Sequence, residues 1–421
     1  MNINLPKILS LVKNNKLDDS IKEINKISNH DKNFKLIELK GFIYFNLKEY
    51  EQSYDCYSKA INLDENSFNA FAQRGTISFE LGKFTEAIND FKKCFEINKK
   101  SNIALENIGK CYSNLGDNAK AIKYYNLALE LDANNKRLIE TIAEKLTEIG
   151  TIEDKNNKIV KINSAIKNIK YNYSSEVKID NNEIKKLINK SENLINKNFG
   201  NLNFNQTQIF RKNNFDLNCD RHFLIFRNHK IIPKFCFSCI KVTINLDNVV
   251  DLIKLFIILE NINLPNNNLR KCMIDLRSDS KSNYKAFIYC RSNDEAEEIR
   301  KKLNKIIKLN ISKNLSFNIK RGCSEFNKKY AGFENSSQNL INYNLEWKKY
   351  EDIIDKKFPK FKFKNKKQET IKGISFYDIM IIKNWLFFAY LINDKSYKLI
   401  QEKTTTNFTL EKIVRQNKLN P

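Results

Sequence analysis

The residues of this sequence best suited to chemistry are its cysteines and histidines, nine and three in number. Cys219 and His222 are separated by two residues. Cys236 and Cys239 repeat that spacing after a gap of 13 residues. Thiol and imidazole side chains in two such pairs are typical of tetrahedral zinc sites. Two further thiols, Cys272 and Cys290, are brought near these pairs by the predicted strands described below. The predicted metal ligands are therefore Cys219, His222, Cys236, Cys239, Cys272 and Cys290.

The sequence favours Zn²⁺ over an iron–sulfur cluster as the cofactor, and two other interpretations of the thiols stay open. Cysteine is among the most often buried residue types, so these side chains would equally suit an apolar core. A catalytic cysteine beside His222 or His229 has less support, because no third residue that would orient the histidine is identifiable. The ten glycines form no phosphate-binding loop, and no enzyme class is indicated.

The compartment follows from several absences in the sequence. An odd number of cysteines argues against a disulfide framework and for reducing conditions. The first residues lack the basic stretch, apolar run and cleavage site of a secretory signal. No apolar stretch reaches the roughly 18 residues expected of a membrane-spanning helix. We therefore expect a cytoplasmic protein.

The elements that would position the thiols follow a β-α-β-β-α-β order between residues 233 and 322. Strands are predicted at 235–244, 272–276, 284–290 and 315–319, with helices at 249–259 and 295–309. This order is the split β-α-β, or ferredoxin-like, pattern of an α+β domain, and it places the strands in the order 4-1-3-2. The starts of the first two strands then meet the ends of the other two. That edge would hold Cys236, Cys239, Cys272 and Cys290, with Cys323 just beyond, and Cys236, Cys272 and Cys290 would cluster there.

The opposite face of the predicted sheet is basic and aromatic. The run from Lys285 to Tyr289 resembles the aromatic strand of an RNA-recognition motif, in which rings stack on splayed bases. It lacks the glycine and the second aromatic strand of that motif. The predicted nucleic-acid face consists of Lys241, Lys271, Lys285, Phe287, Tyr289 and Arg291.

The last 80 residues combine basic and apolar stretches. Seven lysines interleave with phenylalanines between residues 356 and 367, and an apolar helix is predicted from Ile374 to Ile392. A partner for residues 356–392 could be an anionic membrane surface. Docking of the helix on the α+β domain is favoured, because a continuous apolar run of this length more often belongs to a core.

The net charge of +24 is distributed unevenly along the chain. Residues 1–135 hold 19 basic and 18 acidic side chains, whereas the remainder holds 54 and 31. The two parts therefore differ in composition. We predict a solenoid at 1–150, a helical connector at 151–204, a basic α+β domain at 205–340 and a helical tail at 341–421.

The N-terminal part contains a repeat of 34 residues, which aligns without gaps at 34–67, 68–101 and 102–135. A glycine recurs at position 8 of each copy, as Gly41, Gly75 and Gly109. A large aromatic residue recurs at position 24. Small residues let two antiparallel helices approach closely, and the aromatic ring fills the space between them. One such hairpin cannot bury its apolar face alone, so neighbouring hairpins stack.

These residues closely resemble the tetratricopeptide repeat (TPR). The resemblance covers about residues 1–150, with a degenerate copy at 1–33 and a capping helix at 136–150. It implies a groove, lined by the first helix of each repeat, that binds a protein or peptide. Carried over position by position, the groove residues are Lys35, Glu38, Phe42, Phe45, Asn46, Asn69, Gln73, Thr76, Phe79, Glu80, Glu106, Asn107, Lys110 and Asn114.

Some TPR proteins clamp the C-terminal carboxylate of a partner with lysine and asparagine in this groove. Glu38 and Glu106 stand where such a clamp would need a cation or an amide. The sequence therefore predicts an adaptor that binds a different peptide or a folded partner. The alternative is that the C-terminal part is an enzyme or a zinc or iron–sulfur domain and that the TPR array serves it. The C-terminal part resembles no family to which an activity can be attached.

Overall fold

The computed structural model of the chain describes residues 5–150, 157–276, 282–312, 315, 317–338, 340–362 and 368–401. The described residues divide into two compact units. The first unit contains the residues up to Asn134 together with those between Lys349 and Asn365, and the second contains the rest. In the described ranges, no helix is both long and apolar enough to cross a membrane.

The first unit begins with eight helices joined by tight turns. They are α1 Leu5–Lys13, α2 Leu17–Asn25, α3 Phe34–Leu47, α4 Tyr50–Leu63, α5 Phe68–Glu80, α6 Phe84–Ile97, α7 Asn102–Asn114 and α8 Asn118–Leu131. The helices α3 to α8 form three antiparallel hairpins, one for each predicted repeat. The prediction of a helical solenoid is confirmed.

The sequence sets the start of each repeat through an N-cap. The side-chain oxygens of Asn33, Ser67 and Ser101 accept hydrogen bonds from backbone amides in the first turns of α3, α5 and α7. Such a cap contributes roughly 1 kcal/mol to the stability of a helix. Because the cap residue recurs at the same repeat position, it fixes where every first helix begins.

The recurring glycines allow the close approach of paired helices. A Cβ atom added at Gly41 would lie 2.7 Å from the Tyr57 ring, and one at Gly109 would lie 2.6 Å from the Tyr125 ring. Such distances are shorter than real Cβ contacts. Position 8 must therefore be glycine wherever position 24 carries a large ring.

The second unit is built on a five-stranded antiparallel sheet. Its strands are β1 Gln208–Arg211, β2 Ile240–Leu246, β3 Arg270–Ile274, β4 Tyr284–Cys290 and β5 Phe317–Arg321. They lie in the order β1-β3-β4-β2-β5. The four predicted strands are therefore neighbours in the predicted 4-1-3-2 order, and the structure adds the short edge strand β1, which the sequence does not predict.

The remaining helices precede, separate or follow these strands along the chain. They are α9 Lys136–Lys145, α10 Lys158–Lys167, α11 Asn181–Phe199, α12 Cys219–His229, α13 Val249–Asn261, α14 Asn293–Asn310, α15 Ser324–Lys329, α16 Lys348–Lys357 and α17 Phe376–Leu391. Residues of α16 from Lys349 onward belong to the first unit. The predicted capping helix of the solenoid, α9, belongs to the second.

The apolar helix α17 is part of the core of the second unit. Trp385 is fully buried and meets Phe256 of α13 edge-on, with 6.3 Å between the ring centres. The Asn384 side chain donates hydrogen bonds to the carbonyls of Phe204 and Gln206 at 2.9 and 2.8 Å. These contacts dock the helix on its own unit, as the sequence favoured. Its residues from Phe376 to Leu386 are buried, whereas Tyr390 and Leu391 at its end are exposed.

Candidate functional site

Five of the cysteines and histidines of the second unit surround one small cavity. It measures about 10 Å³, close to the lower limit for one water molecule. The thiol and imidazole side chains that line it are Cys219, His222, Cys236, Cys239 and Cys323. We call this feature the thiol cavity. The helix α12, the turn before β2 and the loop after β5 bring these sequence-distant residues together.

Burial controls the chemistry of the thiol cavity. It raises the pKa of Cys219 to about 12 and the pKa of Cys239 to about 11, and the nearby Cys323 thiol adds to both shifts. Thiols with such pKa values are protonated at neutral pH and are poor nucleophiles. A catalytic cysteine therefore finds no support in these two residues.

The metal prediction concerns four of the residues of the thiol cavity. Among the described residues, no three cysteine, histidine or acidic side chains are arranged to hold one metal ion. Zinc binding would require the thiols to move closer together and to lose their protons. The zinc site therefore stays a prediction.

The other two predicted ligands lie elsewhere on the sheet. Cys272 sits in the middle of β3, between Ile209 and Ala286 of the neighbouring strands. Cys290 ends β4 opposite Ile240. Both are buried, and neither lines the thiol cavity. The predicted clustering of Cys272 with Cys236 and Cys290 is therefore wrong, because the register places Cys272 in the middle of its strand. Cys323, which the predicted topology also places just beyond this edge, does line the cavity, although it was not among the predicted ligands.

The basic and aromatic side chains lie on the opposite side of the sheet from its large helices. Lys241 pairs with Tyr289 across β2 and β4, and Lys271 pairs with Phe287 across β3 and β4. The ammonium groups of the two lysines lie 5.3 and 5.2 Å from the centre of the Phe287 ring. Phe287 is 9 % exposed. Its ring is therefore engaged within the protein rather than presented to a base.

The remaining members of this face differ in their surroundings. The Lys285 ammonium forms a 2.8 Å ion pair with Asp275. Arg291 lies just beyond the end of β4 and is exposed. A continuous row of exposed cations and rings, which stacking on single-stranded RNA requires, is not formed by these residues.

The predicted groove residues of the first unit lie on α3, α5 and α7. Exposed members are Lys35, Phe42, Asn46 and Asn69. Half-buried members are Glu38, Phe45, Gln73, Thr76, Phe79, Glu80, Asn107, Lys110 and Asn114, and Glu106 is buried. We call this surface the groove. Phe42 is 45 % exposed and is the most exposed apolar side chain of the groove as defined.

Two of the groove phenylalanines also stabilise their own hairpins. Phe45 meets Tyr50 edge-on at 5.7 Å, and Phe79 meets Phe84 edge-on at 5.3 Å. Each pair joins the end of a first helix to the start of the second. Replacing Phe45 or Phe79 would therefore perturb folding as well as any partner contact, whereas Phe42 offers a cleaner test.

The carboxylates of the groove are paired with neighbouring polar groups. The Asn69 amide donates to Glu38 at 2.7 Å, and Lys110 forms a 2.9 Å ion pair with Glu106 one helical turn away. The cation and the amide that a carboxylate clamp would use are thus already bound to glutamates. This pairing disfavours a negatively charged ligand terminus in the groove.

A family model decides the assignment of the first unit. The model of the tetratricopeptide repeat matches residues 35–67, 68–101 and 104–135. The first unit contains a TPR array. TPR arrays are protein-interaction modules that present an extended concave surface. No curated protein matches the sequence of the chain.

Several solved TPR structures are similar to part of this chain. MamA from Desulfovibrio magneticus RS-1 is 15 % identical with a TM-score of 0.31, over 33 % of this chain and 80 % of its own. YrrB, a TPR protein with an unusual peptide-binding site, is 19 % identical with a TM-score of 0.30, over 33 % and 72 %. The first TPR of Spaghetti (RPAP3), bound to an HSP90 peptide, is 25 % identical with a TM-score of 0.26, over 28 % and 92 %.

The TPR array is contacted by a later segment of the same chain. Between Pro359 and Lys362 the backbone forms a 3-10 turn that packs against α5. The Lys360 ammonium lies 2.8 Å from the Glu80 carboxylate, at the C-terminal end of α5. Glu80 is a groove residue, so part of the groove is occupied from within the chain.

Proposed function

We propose that the TPR array is a binding module for a protein partner and that the groove receives a lysine-bearing, partly apolar segment of that partner. The observation that carries this proposal is the composition of the groove. It combines the exposed Phe42 ring with the carboxylates of Glu38 and Glu80, which can accept a lysine.

The proposed chemistry follows from the pairing of charges within the groove. Lys110 is bound to Glu106, so the cation at this end of the groove is already neutralised. A partner carboxylate would meet glutamates, whereas a partner ammonium would be attracted to them. Aromatic side chains dominate the energetics of such interfaces, and Phe42 supplies one at the surface of α3.

The test uses one exposed apolar residue inside the groove and one outside it. Phe42→Ala should reduce the capture of partners from a cell extract at least about tenfold, because an exposed ring at the centre of an interface contributes most of its energy. Leu63→Ala is the matched control, since Leu63 is 51 % exposed at the end of α4, away from the groove helices. Circular dichroism should be unchanged in both variants.

The readout is quantitative mass spectrometry of proteins cross-linked to each variant. Partners lost with Phe42→Ala and retained with Leu63→Ala would support the groove as the binding surface. Equal recovery from both variants and the wild type would contradict it.

A further inference from the structure

We infer that residues 349–362 are an intrinsic ligand of the groove and compete there with an external partner. We call this segment the basic strap. The inference rests on the proposed function, because it names the regulation of the same surface. Along the sequence, the strap is flanked on both sides by residues of the second unit. In the structure it nevertheless belongs to the first unit.

The helical part of the strap has one buried face. Glu351 and Ile354 are 6 % and 2 % exposed, whereas Ile353 is 48 % exposed. Residues three positions apart lie on the same side of a helix. A ten-residue helix cannot bury a side chain to this degree by itself, so the face that carries Ile354 is covered by other residues of the chain.

The 3-10 turn of the strap supplies the polar contact. Lys360 is 30 % exposed and Glu80 19 % exposed, so their ion pair is partly shielded from water. Glu80 is the last residue of α5. The C-terminal end of a helix carries partial negative charge, and a cation placed there is stabilised further. The turn thus directs a lysine at the most favourable end of α5.

The strap has the chemistry that we propose for the partner. It presents a lysine to a groove carboxylate, together with apolar side chains such as Phe358 and Phe361, both half-buried. A segment tethered to its site acts at a high effective concentration, in the millimolar range for short linkers. An external ligand must therefore displace the strap, and its apparent affinity falls by the fraction of molecules in which the groove is open.

The experiment measures binding of a fluorescent peptide of residues 349–362 to the full chain by anisotropy. Lys360→Glu reverses the charge that faces Glu80 and should release the strap. The labelled wild-type peptide should then bind at least about fivefold more tightly than it binds the unmodified chain. Lys356→Glu is the matched control, because it makes the same charge change at an exposed position of the same strap. It should leave the affinity unchanged.

A second variant tests the contact from the groove side. Glu80→Lys should weaken the peptide bound in trans, and the combined Glu80→Lys and Lys360→Glu exchange should restore protection of the strap from hydrogen exchange. Equal peptide affinity of Lys360→Glu, Lys356→Glu and the wild type, with no change in protection in Glu80→Lys, would overturn the inference.

Different results would contradict partner binding in the groove and regulation of the groove by the strap. If Phe42→Ala abolishes partner capture while Lys360→Glu leaves peptide affinity unchanged, the groove binds partners but the strap does not regulate it. If Lys360→Glu opens the site to the peptide while Phe42→Ala has no effect on capture, the strap occupies the groove and the partner binds elsewhere.

Discussion

Arg211 offers the sharpest test of what stabilises the second unit. Its guanidinium donates two hydrogen bonds of 3.0 Å to Asp378 at the start of α17, and a third to Glu260 at the end of α13. All three side chains are at most 6 % exposed. The two carboxylates raise the pKa of Arg211 against the opposing effect of its burial, so it stays charged at any accessible pH. One cation thus joins β1, α13 and α17.

The expected cost of removing this cation is large. In Arg211→Met, two buried carboxylates lose their shared partner. Breaking a buried ion pair from one side typically costs about 3–5 kcal/mol, because the remaining charge stays buried without compensation. With a urea slope of about 2–3 kcal/mol/M, the unfolding midpoint should fall by roughly 1–2.5 M.

The assay can be specific to the second unit because both tryptophans, Trp347 and Trp385, belong to it. Intrinsic fluorescence therefore follows the unfolding of that unit. Lys186→Met is the control, since Lys186 forms a 2.9 Å pair with Glu183 but is 66 % exposed. Exposed pairs contribute less than about 1 kcal/mol, so this variant should unfold with the wild type.

A triple variant separates the loss of charge from the loss of packing. Combining Arg211→Met with Glu260→Gln and Asp378→Asn removes all three charges, and replacement of a whole buried ion network is often close to neutral. The triple variant should therefore regain most of the stability lost in the single variant. The reasoning is refuted if Arg211→Met unfolds at the same midpoint as Lys186→Met.

Three further outcomes are expected. Gly109→Ala should destabilise the TPR array by about 1–3 kcal/mol, because its Cβ would overlap the Tyr125 ring. A circular-dichroism melt measures this, and unchanged stability would contradict the packing argument. Burial raises the pKa of Glu140 from 4.5 to about 7, so the folded chain holds a proton that the unfolded chain releases, and stability should fall as the pH rises from 4.5 to 7. In Glu140→Gln that pH dependence should become flatter; an unchanged slope would assign it to other groups. If the thiol cavity binds zinc, protein purified under reducing conditions should carry one equivalent, lost in Cys239→Ser and kept in Cys272→Ser; a folded, metal-free wild type would end the zinc prediction.

The repeats were predictable because their pattern is local and redundant. Each copy carries the same glycine, the same large ring and a capping residue at the same positions. The close contact between Gly75 and Phe91 is the physical reason that a glycine accompanies the large ring in each copy. The order of the four sheet strands was predictable for a related reason, since the alternation of strands and helices restricts the topology to few arrangements.

The positions of the groove residues on their helices were predictable, but the hydrogen bonds and ion pairs of their side chains were not. The repeat period assigns Glu38 and Glu106 to the first helices of their repeats, and they lie there. Their pairing with Asn69 and Lys110 depends on side-chain geometry across and along the helices, which the period does not contain.

The pattern of a strand predicts which face of the sheet a thiol lies on, but not its distance from the thiols of other strands. Parity places Cys236, Cys272 and Cys290 on one side of the sheet, but the register decides how far along each strand they lie. Cys272 faces Ala286, four residues before Cys290 on β4. At about 3.4 Å per residue, that offset separates the two thiols by more than a metal site can span. Cys323, which the topology places just beyond the last strand, does reach the cavity, because it closely follows the end of β5.

The remaining features that the sequence did not predict depend on contacts between residues far apart in the chain. The four-residue strand β1 is too short to show a period, and Arg211 at its end finds its partners 49 and 167 residues later. The basic strap was assigned to the C-terminal tail because it is contiguous with it in sequence. No local feature of its lysines indicates that one of them would bind Glu80, some 280 residues earlier.

Charge alone does not explain why the basic strap belongs to the first unit. Residues 1–135 are close to neutral, whereas the rest of the chain carries most of the net charge of +24. A lysine-rich segment would be attracted to any acidic surface, so charge alone gives little selectivity. Phe358 and Phe361 lie beside Lys360 in the strap and are half-buried, so apolar side chains accompany the ion pair with Glu80. A ligand that displaces the strap must therefore present a lysine to Glu80 with apolar side chains beside it, which a purely basic chain cannot do.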